Sequence, residues 1–103
     1  MRDPETLSEV KKYLALLSKK APGHSVEVRI PPYSAIQCVS GPVHKRGTPR
    51  AVIEMNAKTF IALATGNLNW ETGVMKGLIL ASGENSNLNP YLPLIPNLKK
   101  NKE

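Results

Sequence analysis

Cationic side chains gather in one short stretch of this chain: His44, Lys45 and Arg46, then Gly47-Thr48, then Arg50. Cations on a pliable glycine- and proline-containing backbone suit an anion. They would hold a phosphate or carboxylate head group, or an acidic partner, by charge-assisted hydrogen bonds. The plainer reading is a solvated loop whose charges keep the chain soluble. Nucleic acid is not expected, because no aromatic residue interleaves the cations to give bases a stacking platform. Cys38 is the single cysteine, which excludes an internal disulfide. As a nucleophile it would need an adjacent base, and neither His24 nor His44 is spaced to supply one. The same three residues show no metal-ligand spacing. Glu27 and Glu54 would have to be close and desolvated to share acid–base work; both fall on polar faces of expected strands. The chemistry-bearing residues therefore describe a non-enzymatic chain without metal or cofactor.

A second set of residues is apolar. Trp70, the single tryptophan, opens a short helix, with Val74 and Met75 following it. Phe60 and Leu63 lie on the helix before, and Tyr91 and Leu94 lie in a proline-rich tail. Such residues line an apolar pocket if one exists. Otherwise they fill a core, the indole N–H meeting a neighbouring carbonyl.

The elements that must position them centre on residues 56–83. Asn56 and Asn69 are N-caps, and Gly66 and Gly77 are left-handed stops. Between them run two short helices, the first presenting Phe60, Leu63 and Ala64 on one face. Leu78, Ile79 and Leu80 then make a short apolar run ending at Gly83, read as a buried strand. Upstream, residues 5–20 form an amphipathic helix, with Asp3 as N-cap and Pro4 just inside the start. Leu7, Val10, Leu14 and Leu17 recur at helical spacing, with Tyr13 at the stripe's edge. Ser8, Lys12 and Lys19 lie opposite. The stripe is as wide as packing on a sheet requires, so this is a cover helix with at most peripheral membrane contact.

Residues 25–30 alternate as a half-buried strand, with Val26, Val28 and Ile30 on one side. Pro31-Pro32 stops it, and residues 33–40 make a second strand, which suggests an antiparallel hairpin. Residues 51–55 are a third strand, 41–50 a loop. The tail from Ser86 carries apolar residues among prolines that forbid a regular helix. It reads as an extended flap across the body. The order is α, β, β, β, α, α, β, flap: an α+β fold. Its small antiparallel or mixed sheet of four strands is covered by the N-terminal helix and the two short helices.

At 103 residues the chain is one domain, residues 1–95, followed by a basic tail, 96–103. It buries roughly 60–70% of its unfolded surface, enough for one modest core. Hydrophobic residues at 41% and charged residues at 21% exclude a disordered chain. The N-terminus has no apolar h-region, and no stretch approaches the ~20 apolar residues of a membrane span. A cytoplasmic location is expected. The net charge of +6 is spread over the first helix, the central loop and the tail.

The central stretch carries a pattern. Phe60 on a short helix is followed by Thr65-Gly66-Asn67-Leu68. A second short helix ends at Met75-Lys76-Gly77, and Leu78-Ile79-Leu80-Ala81-Ser82-Gly83 comes next. This resembles the C-terminal half of the sterol carrier protein type 2 family. Pro31-Pro32-Tyr33, Gln37-Cys38, Gly41-Pro42 with His44, and Arg46-Gly47-Thr48-Pro49 narrow the likeness to a compact bacterial, largely actinobacterial branch. The fold also resembles the C-terminal domain of mycothiol-dependent maleylpyruvate isomerases. The resemblance implies a sheet with helices on one side and an apolar tunnel between them. It implies a non-enzymatic carrier of a lipid-like molecule contacted by Phe60, Leu63, Trp70, Val74, Met75, Tyr91 and Leu94, the flap gating entry. The alternative is a cavity-less interaction or enzyme-accessory domain that docks a partner protein through its sheet edge or basic loop.

Overall fold

Helix α1 spans Pro4–Lys20 and starts where the sequence places it. Asp3 accepts hydrogen bonds from the Thr6 amide at 3.1 Å and the Thr6 hydroxyl at 2.7 Å. Those bonds hold the Asp3 carboxyl below its ordinary pKa, the side-chain bond having the larger effect. Val10, Tyr13, Leu14 and Leu17 are buried on one stripe, and the helix closes as the Ala21 amide donates to the Leu17 carbonyl. These features come from a computed structural model of the chain, which describes residues 3–41, 51–83 and 86–95.

Strand β1 (Val26–Ile30) pairs antiparallel with β2 (Ser34–Cys38), with Val28 opposite Ile36. Strand β3 (Ala51–Glu54) lies parallel to β1, and β4 (Leu80–Ser82) pairs antiparallel with β3. The sheet is mixed, with order β2-β1-β3-β4. Alternation sorts its two faces. Val26, Val28, Ile30, Ala51 and Ile53 are buried together with Leu14, Leu17, Phe60 and Leu63. Glu27, Arg29, Val52, Glu54 and Leu80 point the other way and are half-buried or exposed. The helices thus cover one face of the sheet, as an α+β layout requires.

Helices α2 (Ala57–Thr65) and α3 (Trp70–Met75) are each set by an asparagine. Asn56 Oδ1 accepts from the Thr59 amide and Asn69 Oδ1 from the Thr72 amide, both at 2.8 Å. Such caps contribute roughly 0.5–2 kcal/mol each. Gly66, at φ +86°, ends α2 in the left-handed conformation that glycine adopts without a Cβ clash.

Two expectations change. The run Leu78-Ile79-Leu80 is not a buried strand. Pairing begins at Leu80, and Leu78 and Leu80 are 41% and 65% exposed. Only Ile79 is buried, its Cδ1 lying where a Cβ on Gly73 would stand. The reason is position: among the described residues β4 is the edge of the sheet, paired on one side to β3 alone. The tail, expected to be extended throughout, contains a 3₁₀ turn at Asn89–Tyr91. Leu88 before that turn is fully buried, and Tyr91, Leu92, Leu94 and Ile95 pack half-buried against the core.

Candidate functional site

The tail is laid over the helices as a strap and tied at its far end. The Leu94 and Ile95 amides donate to the Ala64 carbonyl, at 2.9 and 3.3 Å, near the C-terminus of α2. From α1, Lys20 Nζ donates to the Pro93 carbonyl at 3.0 Å. Between strap and body is a depression of about 150 Å³, lined by Leu63, Leu68, Trp70, Asn89, Leu92 and Pro93 among others.

The seven apolar residues singled out in the sequence separate into three groups. Phe60 and Leu63 are fully buried in the layer between α2 and the sheet, and Trp70 is buried at the head of α3. Leu63 and Trp70 both reach the depression. Tyr91 and Leu94 are half-buried on the strap. Val74 and Met75 lie on the exposed side of α3, 43% and 84% accessible, near Leu78 and Leu80. Leu68, Leu92 and Pro93 complete the seam without having been picked out as site residues. Their signal was present: Leu68 follows the Gly66 stop directly, and Leu92 is an apolar residue in a segment too proline-rich to hide it in a helix. His44, Lys45, Arg46 and Arg50 lie outside the described residues.

The polar residues are accounted for structurally. Cys38 is buried in β2, and burial pushes its thiol pKa up to about 11. It is a neutral thiol at physiological pH, the opposite of an activated nucleophile. His24 Nδ1 lies 3.1 Å from Gln37 Oε1. Arg29 Nε donates to Glu27 Oε2 at 2.9 Å across the uncovered sheet face, raising the Arg29 pKa, with Glu54 adding a weaker attraction. The Arg29–Glu27 pair is partly exposed, so solvent screens it. Among the described residues no three His, Cys, Asp or Glu side chains converge as a metal site would require. None of their helices is long and apolar enough to cross a membrane.

An N-terminal cover helix, a four-stranded mixed sheet, and two capped short helices under a C-terminal strap are therefore built by one continuous run of chain. Residues 3–94 match the family model described as bacterial SCP ortholog, SCP denoting sterol carrier protein. The chain belongs to that family. The match covers α1 and the strap as well as the central stretch, so both ends of this sterol carrier-like domain are part of the family pattern. The family is in general one of non-catalytic carrier domains. Comparison with curated proteins gave no match.

Proposed function

We propose that this sterol carrier-like domain is a non-catalytic carrier that takes an apolar or amphipathic lipid-like molecule between its helices and sheet. The strap seam is the entry. The observation that carries this reading is the strap's uneven attachment. Leu88 anchors one end in the core, whereas Tyr91, Leu92, Leu94 and Ile95 are only half-buried and Pro93 is exposed. Their bonds to the body are two amides on one carbonyl and one lysine on another. The seam beneath already reaches Leu63 and Trp70.

Magnitude decides how a ligand would enter. Pockets for ligands of drug size occupy about 300–1,000 Å³, and the seam offers about 150 Å³. A lipid-like molecule therefore has to displace Leu92 and Pro93 from the seam, and the neighbouring Tyr91 and Leu94 with them. The ligand's apolar surface then takes over contacts that those side chains give up, so the exchange is nearly even in buried area. In this reading Phe60, Leu63 and Trp70 form the floor, and Tyr91 and Leu94 close over the bound molecule. Val74 and Met75 stand outside the mouth, on the exposed side of α3.

Titration with a fluorescent fatty-acyl probe, with native mass spectrometry to count bound molecules, tests the reading. Saturable one-to-one uptake is expected. Leu92→Asp, which puts a carboxylate into the seam, should weaken it by an order of magnitude, about 1.4 kcal/mol. Absence of saturable uptake in a folded sample, or uptake indifferent to Leu92→Asp, contradicts the proposal.

A further inference from the structure

The four large apolar side chains that stand exposed among the described residues are Val74, Met75, Leu78 and Leu80. They fall within one short stretch of chain, the end of α3 and the start of β4. That stretch borders the β4 edge of the sheet, unpaired among the described residues. The two edges differ. Among the described residues both end strands pair on one side, β2 with β1 and β4 with β3, but β2 also has α1 packed against it. Sheet edges are ordinarily blunted by shortness, a lysine, a proline or a bulge, and β4, at three residues, has only the first of the sequence-borne devices. Leu80-Ala81-Ser82 contains no charge and no proline, and all three residues are exposed.

Beside this edge is an open groove of about 490 Å³, walled by Val52, Val74, Ile79, Leu80 and Ala81. Its one ionisable lining residue is Glu54, directly across from Leu80 in the β3–β4 register. Glu54 accepts no hydrogen bond and makes no close ion pair among the described residues. Arg29 stands opposite Glu54 in the β1–β3 register and attracts it, but Arg29 Nε is bonded to Glu27, so two carboxylates share one guanidinium. The groove thus offers backbone donors and acceptors, apolar walls and a carboxylate that, among the described residues, has only a share in Arg29.

We propose that the outer edge of β4 is a docking site for an extended segment of a partner protein, added as a further strand. A lysine or arginine of that segment lies over Leu80 toward Glu54. Strand addition supplies main-chain hydrogen bonds, and alternate side chains supply specificity. A basic residue fits the groove in both its parts. Its methylene stem covers Leu80, and its charged head reaches the carboxylate one strand further in. A second copy of this chain fits less well. Pairing β4 with β4 brings another Leu80–Glu54 row, a second carboxylate where a cation is wanted. The groove shares no lining residue with the strap seam, and the site does not rest on the carrier reading.

The test uses the full chain, isotope-labelled for amide NMR. The probes are two blocked peptides of about eight residues, a usual strand length. Each alternates threonine and valine, one with a central lysine and one with a central glutamate. Saturable shifts at the Leu80, Ala81 and Ser82 amides are expected with the lysine peptide. Binding should be about two- to fivefold weaker for the glutamate peptide, and equally weakened for the lysine peptide by Glu54→Gln. Leu80→Lys should remove it, with an unchanged circular dichroism spectrum showing that the fold is intact. Equal affinity for both peptides, shifts confined to other amides, or no shifts at all would overturn the proposal. So would sedimentation showing a dimer that Leu80→Lys dissociates, since the edge would then belong to a second copy.

Discussion

Phe60, Leu63 and Trp70 on one side, and Val74, Met75, Leu78 and Leu80 on the other, are apolar residues from one short stretch with opposite fates. The first three are at most 7% exposed; each of the last four is at least 41% exposed. Hydropathy does not separate them. What does is where the chain crosses the boundary of the sheet. Helix α2 lies above the covered face, and Trp70 begins α3 still within that layer. By Val74 the chain has reached the rim, and it returns along the edge as β4. The comparison teaches that the buried group holds the fold and the rim group is available for contact.

The sharpest way to break this contrast is truncation. Phe60→Ala should cost about 3–5 kcal/mol of unfolding free energy, as expected for a buried aromatic. Met75→Ala and Leu80→Ala should each change it by less than about 0.5 kcal/mol, as surface substitutions do. Chemical denaturation of the variants checks both. A destabilisation by Leu80→Ala comparable to that of Phe60→Ala would show that the rim is part of the core. Next in size, Asn56→Ala should cost about 1 kcal/mol by removing the bond from the Thr59 amide. Asn69→Ala should cost no more, since α3 has only six residues to hold.

Cys38 gives a pH-dependent check on burial. Its thiol has a folded pKa raised from 9.0 to about 11. The unfolded chain therefore loses this proton first as pH rises. Folding stability is unaffected by Cys38 well below pH 9 and declines between about 9 and 11, where the folded state binds the extra proton. Cys38→Ala should flatten that decline, measured as denaturation midpoint against pH. A thiol reagent should react with the native protein at neutral pH far more slowly than with the unfolded chain.

Much of the fold was legible in the residues. Asn56, Gly66, Asn69 and Gly77 place the short helices because caps and stops are local chemistry, fixed by residues three or four apart. Val26, Val28 and Ile30 place β1 because alternation is local too. Pro31-Pro32 marks the hairpin that joins β1 to β2. What was not legible is non-local. The parallel pairing of β1 with β3 joins strands separated by the hairpin and the basic loop, and no local pattern encodes it. The exposure of Leu78 and Leu80 follows from that same order, which leaves β4 at the rim. A short apolar run looks alike in a central strand and at an edge. The strap shows the mixture: its apolar residues among prolines announced a covering segment, but its bonds to Ala64 and its contact with Lys20 join regions far apart in sequence.

The central claim is that an apolar molecule enters beneath the strap and meets Trp70. As the single tryptophan, Trp70 reports on that seam without labelling. Titration with a spin-labelled fatty acid, following tryptophan emission, is the most direct measurement. The account predicts saturable quenching, reversed by unlabelled fatty acid and shifted to about tenfold higher ligand concentration by Leu92→Asp. Emission unchanged at saturating ligand, or quenching that unlabelled fatty acid fails to reverse, would contradict it.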